Sequence, residues 1–174
     1  MSTLPYGFVS GSTLVLSDEL HILGSLLDTR VEHYKYDGTS WTNVSTVPYL
    51  FNDASAVVYN NEIHILGGAN GTTNHYKYDG STWTEVSTLP YEFRDGSAVV
   101  LNNEIHILGS YVSSGYTKHY KYDGSTWTNV STLPYEFHHG GSVIFNDEIH
   151  ILGGGSSGNY TKHYLTYPVY IDAV

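Results

Sequence analysis

Ten histidines stand in this chain, and eight of them recur at two positions. His21, His64, His106 and His150 form one set; His33, His75, His119 and His163 form the other. Imidazole at regular spacing is the commonest raw material of a metal site, so a ring of these residues is the first chemistry to weigh. Each set, however, contributes one residue per repeat, in strands away from any central axis, which places neighbours too far apart for shared ligation. No metal and no cofactor is expected. Neither a Ser/His/Asp set nor a phosphate-cradling Gly loop occurs in a context that would position it, so no catalytic residue is assigned. Asn43, Asn70, Asn129 and Asn159 fit the glycosylation pattern, but a short pattern inside a repeat reads better as turn and strand polarity.

Behind these residues lies a repeat that spans the chain. The string His-Ile-Leu-Gly returns at steps of 43, 42 and 44 residues, and the triplets at Leu4, Val47, Leu89 and Leu133 keep the same steps. Trp41, Trp83 and Trp127 keep two of them. In the third unit Ser97 to Leu101 is a β-rich run, Asn102-Asn103 a turn pair, and Glu104 to Leu108 a second run. A Gly/Ser loop from Gly109 to Gly115 leads to Thr117–Tyr122, and Asp123-Gly124-Ser125 turns the chain into Thr126–Val130. Four strands per unit make an antiparallel meander. Val, Ile, Tyr and Trp fall on both sides of its pleat, so each sheet must stack against neighbours, and radial stacking of such sheets is a propeller.

The unit resembles a Kelch repeat over essentially the whole chain. Gly67-Gly68 and Gly153-Gly154 supply the double glycine; Tyr36-Asp37, Tyr78-Asp79 and Tyr122-Asp123 are each followed by Trp41, Trp83 or Trp127. Units one and three depart from it with Gly24-Ser25 and Gly109-Ser110, and His replaces the aromatic common in the second strand. The Gly-His and Trp-Asp pairs of WD repeats are missing. Asp79-Gly80-Ser81-Thr82-Trp83 is one residue too short for the Asp boxes of sialidases, and the Kelch-bearing copper oxidases need a Cys, which this chain lacks. The expected fold is therefore all-β, a propeller of four Kelch-like, four-stranded antiparallel blades in one domain, 1–174. The blades run approximately 2–46, 47–88, 89–132 and 133–174. The last unit is diverged, with Val169 to Val174 as its expected outer strand. The resemblance implies six or seven blades. Four leave two solutions open, a closed four-bladed ring or a head-to-tail homodimer sharing an eight-bladed one.

A net charge of −10 with seven Lys plus Arg argues against nucleic acid and against an acidic membrane surface. Met1 to Pro5 lacks the pattern of a secretory signal, no run approaches a membrane span, and a soluble protein is expected.

Repetition accounts for most tempting patterns, so function falls to what differs between units. After Phe8, Phe51, Phe93 and Phe137 come Val9-Ser10, Asn52-Asp53, Arg94-Asp95 and His138-His139. The loop between second and third strands also varies, and in a meander it emerges at the same end as the loop entering the next blade. The expected binding face thus carries Asn52, Asp53, Arg94, Asp95, His138 and His139, with Tyr111, Tyr116 and Tyr160 nearby. It suits a protein, peptide or glycan partner, with Arg94 anchoring an anionic group and the paired His giving pH sensitivity. A scaffold without a ligand is the alternative; a hydrolase would need an acidic cluster at the channel mouth, at which Asp53 and Asp95 only hint.

Overall fold

The computed structural model describes residues 3–25, 30–69, 71–155 and 161–166. Among them there are fifteen strands and no helix, and therefore no helix long and apolar enough to cross a membrane. Blade one comprises β1 (Ser12–Leu16), β2 (Glu19–Ser25), β3 (Arg30–Tyr36) and β4 (Trp41–Thr46). Blade two follows with β5 (Ser55–Tyr59), β6 (Glu62–Leu66), β7 (His75–Tyr78) and β8 (Trp83–Glu85). Blade three holds β9 (Ser97–Leu101), β10 (Glu104–Leu108), β11 (Lys118–Tyr122) and β12 (Trp127–Thr132). Blade four shows β13 (Gly141–Phe145), β14 (Glu148–Leu152) and β15 (His163–Thr166). Each sheet is an antiparallel meander in chain order. The outer strand expected at Val169 to Val174 lies outside the described residues, as do Asn70 and Asn159.

Two-residue turns set the register of the inner hairpins. Ser17-Asp18, Asn60-Asn61, Asn102-Asn103 and Asn146-Asp147 all have positive φ, between 50° and 64°, the geometry of a type I′ turn and the reason Asn and Asp stand there. With register pinned, alternation sorts every blade into two faces. In blade two Val57, His64 and Leu66 fall on one face with Tyr59, while Ile63, Ile65, Tyr76 and Tyr78 fall on the other. The first face meets the following blade and the second meets the preceding one. Three apolar clusters result, one at each junction. Between blades two and three, for example, Val57, Tyr59 and Leu66 pack against Ile105, Ile107 and Tyr122, with Leu89, Tyr91 and Phe93 of the linker wedged among them. The other junctions repeat this arrangement.

The innermost strands β1, β5, β9 and β13 pack in that order. Along the axis the backbone N–H of Asp53 donates to Ser10 C=O (3.2 Å), Asp95 N–H to Asp53 C=O (2.8 Å) and His139 N–H to Asp95 C=O (2.8 Å). Behind them the linker tyrosines tie down the glycine corners. Tyr91 Oη donates to Gly109 C=O at 3.1 Å and Tyr135 Oη to Gly153 C=O at 2.8 Å. Gly109 has φ +61°, and a Cβ there would collide with the Phe137 carbonyl. Substitution by Ala combines an unfavourable backbone conformation with a clash against fixed main chain, so Gly109→Ala is expected to cost more than about 2 kcal/mol in urea unfolding. Gly124→Ala is the control: it shares the positive φ, but its Cβ would meet only the Tyr59 hydroxyl, at 3.0 Å.

Candidate functional site

The turn that follows each linker Phe brings four unlike side chains to the axis. Ser10, Asp53, Asp95 and His139 occupy the same place in successive blades, all with φ between 52° and 60°, and line an open hollow of about 330 Å³ with Gly11, Ala54, Gly96 and Gly140. Arg94 Nε donates to Asp95 Oδ2 at 3.2 Å and lies 3.9 Å from Asp53 Oδ2. His139 Nε2 is 3.3 Å from the same Asp95 oxygen. Burial, and next the neighbouring Asp95 charge, raise the Asp53 carboxyl above the usual carboxylate range, against the pull of Arg94. The acid pair at which the sequence hints is therefore present at the mouth.

Aromatic rings close one side. The Arg94 guanidinium lies over the Tyr111 ring, 5.1 Å from its centroid, and Tyr111 packs on both His138 (4.9 Å) and His139 (5.0 Å). Tyr116 reaches His138 at 5.8 Å. The His138 and His139 Nδ1 atoms are 2.8 Å apart, and burial, with His139 adding to it, lowers the His138 imidazole below its ordinary range. Asn52 Nδ2 donates to Asp53 Oδ2 at 3.5 Å. The structure thus gathers Asn52, Asp53, Arg94, Asp95, Tyr111, Tyr116, His138 and His139 at one end; Tyr160 lies outside the described residues. One expectation changes. Arg94 sits between two carboxylates rather than presenting a bare cation, so it orients Asp95 more than it offers an anion anchor.

Ser110 organises this corner, a role that sequence reasoning missed. It is fully buried; its Oγ accepts from the N–H of Arg94 and of Val112, both at 3.1 Å, and donates to Glu92 C=O at 2.9 Å. The signal was there, since unit three reads Gly109-Ser110 where unit two has a double glycine.

The recurrent histidines do meet, but within a blade. His21 and His33 are diagonal neighbours on one face of the β2/β3 pair, and His21 Nδ1 lies 2.7 Å from His33 Nε2. The same contact recurs at 2.8 Å for His64 and His75, and at 2.9 Å for His106 and His119. His33 Nδ1 continues to Ser45 Oγ (2.9 Å), which accepts the indole N–H of Trp83 from the next blade (3.0 Å). Ser87 likewise joins His75 (3.0 Å) to Trp127 (3.1 Å). One proton assignment fits every contact along the ladder: Trp N–H to Ser Oγ, Ser O–H to His Nδ1, His Nε2–H to the second His Nδ1; it leaves Nε2 of His21 and of His64 buried without a hydrogen-bond partner. Tyr78 and Trp83 also meet the His33 ring edge-on, at 5.0 and 5.8 Å. These ladders clasp blade to blade. Among the described residues no three or more His, Asp or Glu side chains are arranged so that they could hold one metal ion.

The Asp turns are hairpin chemistry. Asp79 Oδ1 accepts from the N–H of Ser81 and Thr82, both at 2.8 Å, and Asp123 does the same for Ser125 and Thr126.

Fold and site define a β-propeller with a polar axial mouth. No known family pattern matches the chain, and no curated protein sequence does. Among solved structures it is similar to the one titled "Structure of YjhT", with a TM-score of 0.79 at 16% identity, covering 95% of this chain and 68% of that one. At that identity the likeness speaks for the fold alone.

Proposed function

We propose that this chain is a Kelch-type, non-catalytic binding propeller whose axial mouth takes a polyhydroxylated ligand, a glycan. The observation that carries this reading is the Asp53, Arg94, Asp95 and His139 network around the hollow, walled by Tyr111. Oriented carboxylates accept hydrogen bonds from vicinal hydroxyls, and a tyrosine ring offers a flat apolar face to a sugar. Both carboxylates are already engaged, Asp95 by Arg94 and His139 and Asp53 by Asn52, which suits recognition better than proton transfer. The competing scaffold reading draws support from the near-identity of blades two and three.

Glycan and peptide arrays followed by titration calorimetry test it. On the best glycan, Asp95→Asn is expected to weaken binding roughly 10-fold or more, the worth of a hydrogen bond to a charged group. The triple variant Arg94→Ala, His138→Ala, His139→Ala is expected to abolish capture with the fold intact. Unchanged binding by the triple variant would remove the ligand from this face; silent arrays would leave the scaffold reading standing.

A further inference from the structure

The faces at the two ends of the blade series carry the two halves of one interface, and both are uncovered. On blade four Val143, Phe145 and Leu152 are 47, 61 and 44% exposed, where their counterparts Val99, Leu101 and Leu108, covered by the following blade, are 8, 7 and 0%. On blade one Leu20 is 48% exposed where Ile63 and Ile105, covered by the preceding blade, are both 0%. Leu20 lines an apolar hollow of about 450 Å³ with Leu4, Val15, Ile22 and Trp41. β1 and β13 do not pack on each other as the successive inner strands do, so the described structure is an open series of blades.

Each open face already holds the geometry it has inside the molecule. Tyr36 and Trp41 on blade one stand 5.1 Å apart, as Tyr78–Trp83 and Tyr122–Trp127 do where those pairs clasp the blade before them. On blade four His150 and His163 keep the 2.8 Å contact of the buried ladders. One face therefore presents the Tyr/Trp clasp, and the other presents the histidine pair that such a clasp covers.

We propose that the blade-four face of one copy docks on the blade-one face of a second copy, and reciprocally, closing an eight-bladed ring of two chains. The interface is heterologous, and propellers of about eight blades are within the range the architecture adopts. The second copy is favoured over an unrelated partner because the three junctions inside the chain are this same interface, Val/Leu against Ile/Tyr/Trp, already formed. The inference rests on the fold alone and is independent of any ligand at the mouth.

Sedimentation equilibrium of the full chain is expected to give twice the 19.3 kDa protomer mass. Leu20→Asp and Phe145→Asp alter exposed side chains, so both are expected to keep the wild-type circular dichroism, yet each alone sediments as a protomer. Mixed in equal amounts they are expected to pair again, more weakly than wild type, because one intact face comes from each and only one of the two junctions can form. A wild-type chain that stays at the protomer mass at high micromolar concentration would overturn the proposal, as would a mass beyond two copies. So would a Leu20→Asp variant that still pairs with itself, which would mean that like faces meet.

Discussion

Lowering the pH from 7 to about 4.5 is expected to unfold this protein, with the loss beginning near pH 6.5. Burial, with the neighbouring imidazole adding to it in each case, takes His33, His75 and His119 down to about 3. Burial likewise lowers His64 and His106 to about 4, against the pull of Glu62 and Glu104 and assisted by Lys77 and Lys121. Tyr59 packs edge-on against His64 and adds no charge that would rescue a proton there. In the unfolded chain these imidazoles titrate near 6.5. Between that value and the folded ones the unfolded state binds protons that the native state refuses. Stability contributed by these groups is therefore complete above about pH 6.5 and drains away as the pH falls, at about 1.4 kcal/mol per pH unit for each. Summed over three such ladders and two units, the loss is comparable to the whole stability of a domain, roughly 5–15 kcal/mol. Asp53 acts in the opposite sense, since a raised carboxyl gains protons in the native state, but it is a single group. The turn carboxylates act lower: Asp123, held near 2 by the N–H groups of Thr126 and Ser125, titrates outside this window. Tryptophan fluorescence and calorimetric Tm between pH 8 and 4 check it. Replacing His64 and His75 together by Leu and Phe is expected to flatten the acid limb by one ladder's share, because both titrating groups go at once. A Tm that is level from pH 7 to 5 would mean that the ladders accept protons in the native state.

How much of this was legible in advance depends on the range over which each feature is written. The inner hairpins are local: two residues able to adopt positive φ between alternating strands dictate the type I′ turn. The strands Ser97–Leu101 and Glu104–Leu108 lie where the pattern puts them. The repeat made stacked blades unavoidable, because neither face of a sheet carrying Val, Tyr, His and Leu on one side and Ile and Tyr on the other can face water. The gathering of Asp53, Arg94, Asp95 and His139 followed from their common place after each linker Phe. Their partnerships did not, because a hydrogen bond between Arg94 and Asp95 is a matter of side-chain rotamer that register leaves undetermined. The histidine ladder was hidden for a different reason. Its members are 12, 11 and 13 residues apart in the first three blades, since loops of unequal length separate the second and third strands. A fixed spacing, which reading for motifs seeks, is what an irregular loop destroys, while the sheet register restores the contact.

Phe93→Ala is expected to be the most damaging single substitution, and to reach the mouth as well as the core. Phe93 is fully buried in the junction between blades two and three, beside Tyr91 and Leu89. Truncation to Ala leaves a cavity among groups fixed on two separate sheets, which cannot close up independently, so a cost of about 3–5 kcal/mol is expected. The main chain at this residue is also the hinge of the site. Its N–H donates to Thr72 C=O at 3.0 Å and its carbonyl accepts from Gly68 N–H at 2.9 Å. The next residues carry Arg94, whose carbonyl receives Tyr111 N–H at 2.6 Å, and Asp95, whose N–H reaches Asp53 C=O at 2.8 Å. A ring that packs the corner therefore also sets the position of the carboxylate at the mouth. Urea unfolding at pH 7.5, above the histidine window, should show the midpoint falling with little change in m-value. Fluorescence from a Tyr111→Trp reporter, read well below the new midpoint, should show a looser mouth. Phe93→Leu provides the gradation: it keeps most of the volume and is expected to lose less than half as much stability, with the reporter signal near that of the unmutated core. Equal losses for Ala and Leu would mean that the aromatic ring itself, through its contact with Tyr91 at 6.1 Å, outweighs the volume it fills.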